Sequence, residues 1–413
     1  MTVMTETDPS FDSLQGLSVG DAFGAQFFVP ENRGFLTGRQ APPGRWPWTD
    51  DTEMACSVYA AHTERGGIDT FDLTHAFAHR HDFDRGYGPS ANRLLRLIRE
   101  GGDAGRLAAE VFDGQGSYGN GAAMRVAPLG AAFAEDPAAA VRPAADTAVI
   151  THTHPQAVDG AIAVAVAAAY AVRARTEPTT PEAFLTAVRR LTPHGAVRAG
   201  IGEAIGLLGE QDHRLPAQVL GNGSRVSAVD TVPFALWVAA RHLADFETAL
   251  WQTVWAGGDV DTTGAIVGGI VAAHTGTAGI PAAWLAAREP LPGWATPDPG
   301  SVADGIRHRA GLLQPIQLPR PTSVPDLVWT EAEWQRVRQG LPERDMDDRW
   351  LSYTAEGVIH LHRSWTGYGI FEVRVEPVRG GGRRPVSAVA EARPDRFDDG
   401  APAELLARLL KTL

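Results

Sequence analysis

Gly257-Gly258-Asp259-Val260-Asp261-Thr262-Thr263-Gly264 sets two carboxylates one residue apart between glycines, with hydroxyls and an apolar run following at once. Carboxylates at i and i+2 do not share a helix face, so the segment reads as a tight turn opening a helix over Ala265 to Ala273. Hard oxygen ligands gathered at a helix start make a cradle for Mg²⁺ or Mn²⁺.

About two hundred residues upstream, Trp48-Thr49-Asp50-Asp51-Thr52-Glu53-Met54 repeats the pattern: hydroxyl, paired carboxylates, hydroxyl, then an apolar helical run from Met54 to Ala61. Asp, Ser and Thr are preferred N-cap residues, and capping explains either cluster taken alone. A cap needs one side chain, however, and the repeated doublet exceeds that need. Together Thr49, Asp50, Asp51, Asp259, Asp261 and Thr262 offer oxygen enough for two divalent ions, which in two-metal sites sit about 3.5–4 Å apart. One site closed by both ends of a domain is the expectation.

The 413 residues leave room for more than one domain and a large core. A formal charge of −12 argues against nucleic-acid binding through a broad basic field. Small anionic ligands remain compatible with it where metal ions reverse the local field. Cys56 is the only cysteine, which rules out an intrachain disulfide and fits a cytoplasmic protein. Met1 to Ser10 lacks the basic-then-apolar pattern of a signal peptide. The longest apolar run, Ile162 to Val172, falls short of the roughly 20 residues that span a bilayer, so a soluble protein without membrane contact is expected. Lys411 is the only lysine, which removes Walker-type phosphate binding and Schiff-base catalysis.

Small residues in Phe11 to Gly24, including Gly20-Asp21-Ala22-Phe23-Gly24, predict a helix start that packs closely against a neighbour or ligand. Phe28 to Trp48, rich in Pro and Gly, reads as a surface loop. Helical spacing of Ala, Leu and Val predicts helices at Thr52–Arg65, Thr70–Phe83, Ser90–Glu100, Gly121–Ala134, Pro137–Ile150, Gln156–Arg175, Pro181–Leu191, Ala196–Gly209 and Ser227–Ala256. The last is expected to break near Pro233 or between Ala244 and Phe246. An all-α bundle over residues 11–317 follows, then a linker over residues 318–325 and a small α+β accessory domain over residues 326–413. In the latter, Trp329–Gln339 and Ala401–Leu413 read as helices, Gly357–Val378 as a β-hairpin and Pro385–Ala392 as a third strand. His360 and His362 fall on one strand face, a pairing that suits packing more than ligation.

Between the acidic clusters, Gly116-Ser117-Tyr118-Gly119-Asn120-Gly121-Ala122-Ala123-Met124-Arg125 forms a glycine-rich loop able to present backbone N–H groups to a phosphate, with an aromatic ring for a sugar or base. In Thr151-His152-Thr153-His154-Pro155, His154 reads as a cap and His152 as a ligand-orienting residue.

These stretches, in this order and spacing, resemble the ADP-ribosylglycohydrolases, also called ADP-ribosyl-acceptor hydrolases, which include dinitrogenase reductase-activating glycohydrolases. The resemblance covers about residues 11 to 315. It implies an all-α orthogonal bundle that binds two Mg²⁺ (or Mn²⁺) ions and cleaves the N- or O-glycosidic bond between ADP-ribose and its acceptor. The implied metal ligands are Thr49, Asp50, Asp51, Asp259, Asp261 and Thr262, with Asp50, Asp51 and Asp259 carrying the chemistry. Asp21, Ser117, Tyr118, Gly119, Asn120, Gly121 and His152 are the implied substrate contacts. Tyr87, in Arg85-Gly86-Tyr87-Gly88, joins them from a further lining loop. Where members acting on serine-linked or polymeric ADP-ribose carry a glutamate, four residues after the Gly-Asp-x-x-Gly motif, this chain has Phe28. An arginine-linked protein or a small ADP-ribose conjugate is therefore the expected substrate. The alternative is a non-catalytic ADP-ribose-binding or immunity-type protein that keeps the pocket.

Overall fold

The computed structural model describes residues 8–212, 214–296, 313–339, 350–355, 357–363, 366–378, 381–397 and 401–412. The chain divides between Leu291 and Pro292 into two compact units. The first is helical and the second holds an antiparallel sheet with helices, matching the expected fold class.

In the first unit, the helix Pro9–Ala25 starts at Asp8, whose carboxylate accepts the Ser10 N–H at 2.9 Å. Gly16, Gly20 and Gly24 recur every fourth residue and form one stripe along it. The stripe lies against the helix Val260–Thr275, where a methyl group on Gly20 would strike the Gly264 carbonyl oxygen and one on Gly16 that of Gly268. Only bare backbones fit at this crossing, and it brings Asp21 to the start of the later helix. Against the later helix packs the alanine-rich helix Pro155–Arg173, which buries fourteen residues. That helix is long and apolar enough to cross a membrane, but 78% of it is buried inside the protein, as its all-round apolarity requires of a core helix.

An aromatic cluster fixes the segment that leads into the first acidic doublet. The Phe23 ring stacks on Trp284 at 4.2 Å and meets Trp251 edge-on at 5.0 Å, with Trp46 tilted against it at 5.4 Å. Trp46 also exchanges backbone hydrogen bonds with Ala287 and Glu289, at 2.7 and 2.8 Å.

Several predicted elements differ in extent. The helix expected over Gly121–Ala134 is a 3₁₀ turn, Asn120–Ala122, followed by a short helix, Ala127–Ala131, because Pro128 fits only a first turn. Pro137–Ile150 is likewise a 3₁₀ turn followed by the helix Val141–Val149. Ser227–Ala256 breaks into Ala228–Arg241 and Phe246–Trp255, the second capped by Asp245 on the Thr248 N–H at 3.0 Å; Pro233 lies inside the first without ending it. The expected loop over Phe28–Trp48 contains the helix Arg33–Gly38, and Ala104–Gly114, Arg214–Leu220 and Ala282–Ala287 are helices that the pattern did not yield.

The second unit carries strands β1 (Pro319–Thr322), β2 (Trp350–Ala355), β3 (Val358–Arg363), β4 (Gly369–Pro377) and β5 (Arg383–Glu391) in the order β1-β5-β4-β3-β2, all antiparallel. The hairpin and third strand are thus β3, β4 and β5. The expected linker contains β1, an edge strand whose two prolines suit a position with one unpaired side. Its core gathers Trp334, Leu361, Phe371, Val373, Leu406 and Leu410, with the helices Glu331–Gln339 and Pro402–Thr412 supplying the first and last two. His360 and His362 both stack on Tyr353, at 4.6 and 5.7 Å, which is a packing role.

Candidate active site

Thr49 is the N-cap of the helix Asp50–Arg65, so both carboxylates of the first doublet sit in its first turn rather than before it. Helix N-termini favour negative charge, because the first N–H groups have no partner within the helix. Asp21 lies beneath, fully buried, and accepts four donors: the Thr49 N–H and hydroxyl, each at 2.9 Å, the Thr52 N–H at 3.1 Å and the Thr52 hydroxyl at 2.5 Å. Asp21 is therefore not in the cavity wall where a substrate contact belongs; it anchors the turn that carries the doublet. The Thr49 hydroxyl also stands 3.0 Å from Asp51 Oδ2, one proton between two carboxylates.

The second doublet comes from the helix Val260–Thr275, with Asp259 at its N-cap position after Gly257 and Gly258, both left-handed (φ 66° and 79°). Asp259 Oδ2 accepts from Asn120 Nδ2 at 2.7 Å, Asp261 Oδ1 accepts the Thr262 N–H at 2.8 Å, and the Thr262 hydroxyl reaches Asp51 Oδ2 at 3.5 Å. Carboxylate oxygens of Asp21, Asp51 and Asp261 all lie within 4.8 Å of one another.

So much negative charge in so little water is costly. Burial, with Asp21 adding repulsion, raises the Asp50 carboxyl to about 7, and burial raises Asp21 to about 6 despite its four donors. Asp51 and Asp261 are pushed well above the usual range by burial and then by neighbouring carboxylates. Asp51 Oδ1 is buried with no hydrogen-bond partner. Buried hard oxygens that repel one another and include an orphan acceptor fit a divalent cation. Asp21, with its oxygens already engaged by N–H and O–H groups, fits a supporting position behind the ligands.

The doublets border a cavity of about 460 Å³ lined by Asp50, Asp51, Asp259, Asp261 and Thr262. Ser117, Tyr118, Gly119, Asn120, Gly121 and His152 line it too, as do Tyr87 and its flanking glycines, so every expected site residue except Asp21 and Thr49 is in the wall. His152 Nδ1 is 2.7 Å from the Thr151 hydroxyl, and burial plus nearby Arg125 lowers its imidazole to about 3, which keeps it neutral. At the mouth, the exposed rings of Phe112 and Tyr118 lie 5.4 Å apart. Phe112 reaches that position because the helix Ala104–Gly114 leaves helical geometry at Val111. Arg85 is not in the wall: its guanidinium lies 3.4 Å over the Trp48 ring and pairs with Glu289 at 2.8 Å, tying the Tyr87 loop to the segment before Thr49. His154 caps the helix Pro155–Arg173 through the Gln156 N–H at 3.2 Å, as its position predicted.

The sequence matches the ADP-ribosylglycohydrolase family over residues 7–312. The chain belongs to the ADP-ribosylglycohydrolase family. It is accordingly a hydrolase of glycosidic bonds. The ADP-ribosylhydrolase ARH3 of Xenopus tropicalis is 26% identical over 317 residues, covering 67% of this chain and 90% of that one. An uncharacterised protein of Archaeoglobus fulgidus is 32% identical over 290 residues, covering 66% and 88%. The ADP-ribosyl-dinitrogen reductase glycohydrolase of Rhodospirillum rubrum is 29% identical over 302 residues, covering 69% and 92%.

Three parts of this ADP-ribosylglycohydrolase site escaped the sequence. Glu53 accepts the Tyr87 hydroxyl at 2.5 Å and the Asp82 N–H at 3.2 Å, and burial raises it to about 7. Its place one turn into the helix that carries the first doublet was the available signal. Arg125 lines the cavity, fully buried, donating to the Thr147 carbonyl at 2.7 Å with its guanidinium 4.5 Å over the Phe77 ring; burial lowers its pKa to about 9. The third is the loop Gly221–Ser227. Its Asn222 carbonyl accepts the Asp259 N–H at 3.1 Å, and its Val226 lines the cavity in a left-handed conformation (φ 52°). For a β-branched residue that conformation costs about 1–3 kcal/mol, a strain that clusters at ligand sites. Phe28, 49% exposed, lines no part of the cavity.

Proposed function

We propose that this protein hydrolyses the glycosidic bond between ADP-ribose and an acceptor, with an arginine-linked mono-ADP-ribosylated protein or a small ADP-ribose conjugate as substrate and two Mg²⁺ or Mn²⁺ ions as cofactor. The observation that carries the reading is the meeting of the two doublets: the Thr262 hydroxyl stands 3.5 Å from Asp51 across 211 residues of chain, with the Asp51 Oδ1 orphan beside it. Thr49, Asp50, Asp51, Asp259, Asp261 and Thr262 would hold the ions. When bound, such ions supply Lewis-acid polarisation and lower the pKa of water to near neutrality.

The chain's own residues do the rest. The Ser117–Gly121 loop offers backbone N–H groups to the diphosphate, and the Phe112 and Tyr118 rings at the mouth suit an adenine base. Neutral His152 orients ligand groups by hydrogen bonding without adding charge. Asn120 fixes the Asp259 carboxylate through its 2.7 Å hydrogen bond. Water attacks the anomeric carbon as the bond to the acceptor atom breaks. Asp50, on the wall, takes the proton that the water loses and returns it to the leaving nitrogen, so that water's OH ends on the anomeric carbon and its H on the acceptor. Phe28 offers no carboxylate, which supports an acceptor other than serine.

The test is release of ADP-ribose from an arginine-ADP-ribosylated protein, in Mg²⁺ and in EDTA, by wild type and Asp259→Ala. Release that needs both the metal and Asp259 is expected. Tight ADP-ribose binding with no release from arginine-, serine-, nucleic-acid-linked or acetylated substrates would replace the hydrolase with a binding protein.

A further inference from the structure

We propose that Arg225 forms a subsite for a 2′-phosphate on the adenosine ribose, so that 2′-phosphorylated ADP-ribose species are preferred ligands. This rests on the ADP-ribose reading above. Asp50, Asp51, Asp259 and Asp261 line the cavity, and the cationic side chains in its wall are Arg125, beside Asp50, and Arg225. Arg125 is fully buried and engaged by the Thr147 carbonyl and the Phe77 ring. Arg225 has a side chain 82% exposed.

The cavity does not close at Arg225. The same residue borders two adjoining clefts of about 420 and 340 Å³, lined by polar groups such as Gln156, Gln218 and Ser224, so a ligand has room to extend past it. Its position is fixed by the backbone. The Arg225 N–H donates to Asp230 Oδ2 at 2.8 Å, and Asp230 Oδ1 lies 3.6 Å from Nε. Among the described residues that is its ion pair, which leaves the terminal nitrogens to a ligand. Val226 follows in its left-handed conformation, Ser227 pairs with Gly119, and the Ala228 N–H donates to the Tyr118 carbonyl at 3.1 Å.

Arg225 is thereby held alongside Tyr118 and Gly119. A base on the Tyr118 ring and a diphosphate on the following N–H groups would put the adenosine ribose between them, on the side of this loop. An arginine in that position matches the planar, doubly donating geometry that phosphate recognition uses, and arginine is what nucleotide sites place beside a ribose 2′-phosphate.

Calorimetric titration in Mg²⁺ with ADP-ribose and with 2′-phospho-ADP-ribose tests the subsite on wild type, Arg225→Gln and Arg225→Lys. Wild type is expected to bind the phosphorylated ligand at least about tenfold more tightly. Arg225→Gln should abolish that preference by weakening the phosphorylated ligand at least about tenfold more than ADP-ribose, and Arg225→Lys should keep part of it. Wild type that binds ADP-ribose without preference overturns the subsite alone. So does an equal loss of both ligands in Arg225→Gln, which would put the guanidinium on the diphosphate. Failure of wild type to bind either ligand overturns the ADP-ribose reading and the subsite with it.

Discussion

The Asp21 carboxylate accepts both the backbone N–H and the hydroxyl of Thr49, each at 2.9 Å, from a position with no access to the cavity. Asp21→Asn replaces an acceptor oxygen with a donor facing donors. Metal affinity and turnover should fall about 10–100-fold, as for other partners that orient ligands from behind. Asp21→Ala leaves the Thr49 N–H and both Thr52 donors without partners and should cost at least about 3 kcal/mol of stability. Calorimetric Mg²⁺ titration with thermal unfolding of both variants separates the two effects.

The acidic cluster makes the chelated protein sensitive to pH in an unusual direction. Burial raises Asp50 to about 7 and Asp21 to about 6, so between about pH 4 and pH 7 the folded state holds protons that the unfolded chain has released. Stability contributed by these groups is complete below about pH 4 and is lost as the pH rises through the folded values. In EDTA the cluster therefore lowers stability from about pH 5 to pH 7.5, and Mg²⁺ should restore it most at the upper end. Melting temperatures across that range, with and without metal, check it; a chelated protein whose stability rises over the whole window would contradict it.

Phe112 and Tyr118, 5.4 Å apart at the mouth, should contribute to ADP-ribose affinity and not to metal binding. Stacking on an aromatic ring is worth about 1–3 kcal/mol per base, so Phe112→Ala and Tyr118→Ala should each weaken ADP-ribose roughly fivefold or more. Because the rings touch, the double variant should lose less than the sum. ADP-ribose and Mg²⁺ titrations of the three variants provide the comparison.

Gly20→Ala should destabilise by at least about 3 kcal/mol, since its methyl would meet the Gly264 carbonyl oxygen, and neither backbone can withdraw. Gly34→Ala is the control. It has open space around the new methyl and lies in the helix Arg33–Gly38, so it should be neutral or stabilising by about 0.5–1 kcal/mol. Denaturant unfolding of both variants reads the contrast.

What was legible in the sequence was local. The doublets, the glycine-rich loop and the His154 cap each announced themselves through chemistry within a few residues, and alanine periodicity found most of the bundle. What stayed hidden was made by distance. Asn120 reaches Thr231 and Asp259 across 111 and 139 residues, and Arg85 reaches Glu289 across 204. No local pattern records such pairs. The strand β1 was missed for a related reason: Pro319 and Pro321 read as linker residues, and only pairing with Glu391 and Val389 makes the segment an edge strand. Asp21 was found as a motif residue but misplaced, because the spacing that marks it says nothing about which way it faces.

The crossing of Pro9–Ala25 with Val260–Thr275 has a consequence for biosynthesis. Asp21 and Asp51 leave the ribosome early, yet the surface they need arrives only with Asp261 and Gly264. Until then the glycine-striped face of the first helix has no partner, and the nascent chain carries half of the acidic cluster. Closing contacts of such long sequence separation is slow, so the newly made enzyme depends on its emerging N-terminal segments being shielded until the last large helix appears. Hydrolytic activity is thereby confined to chains synthesised through that helix.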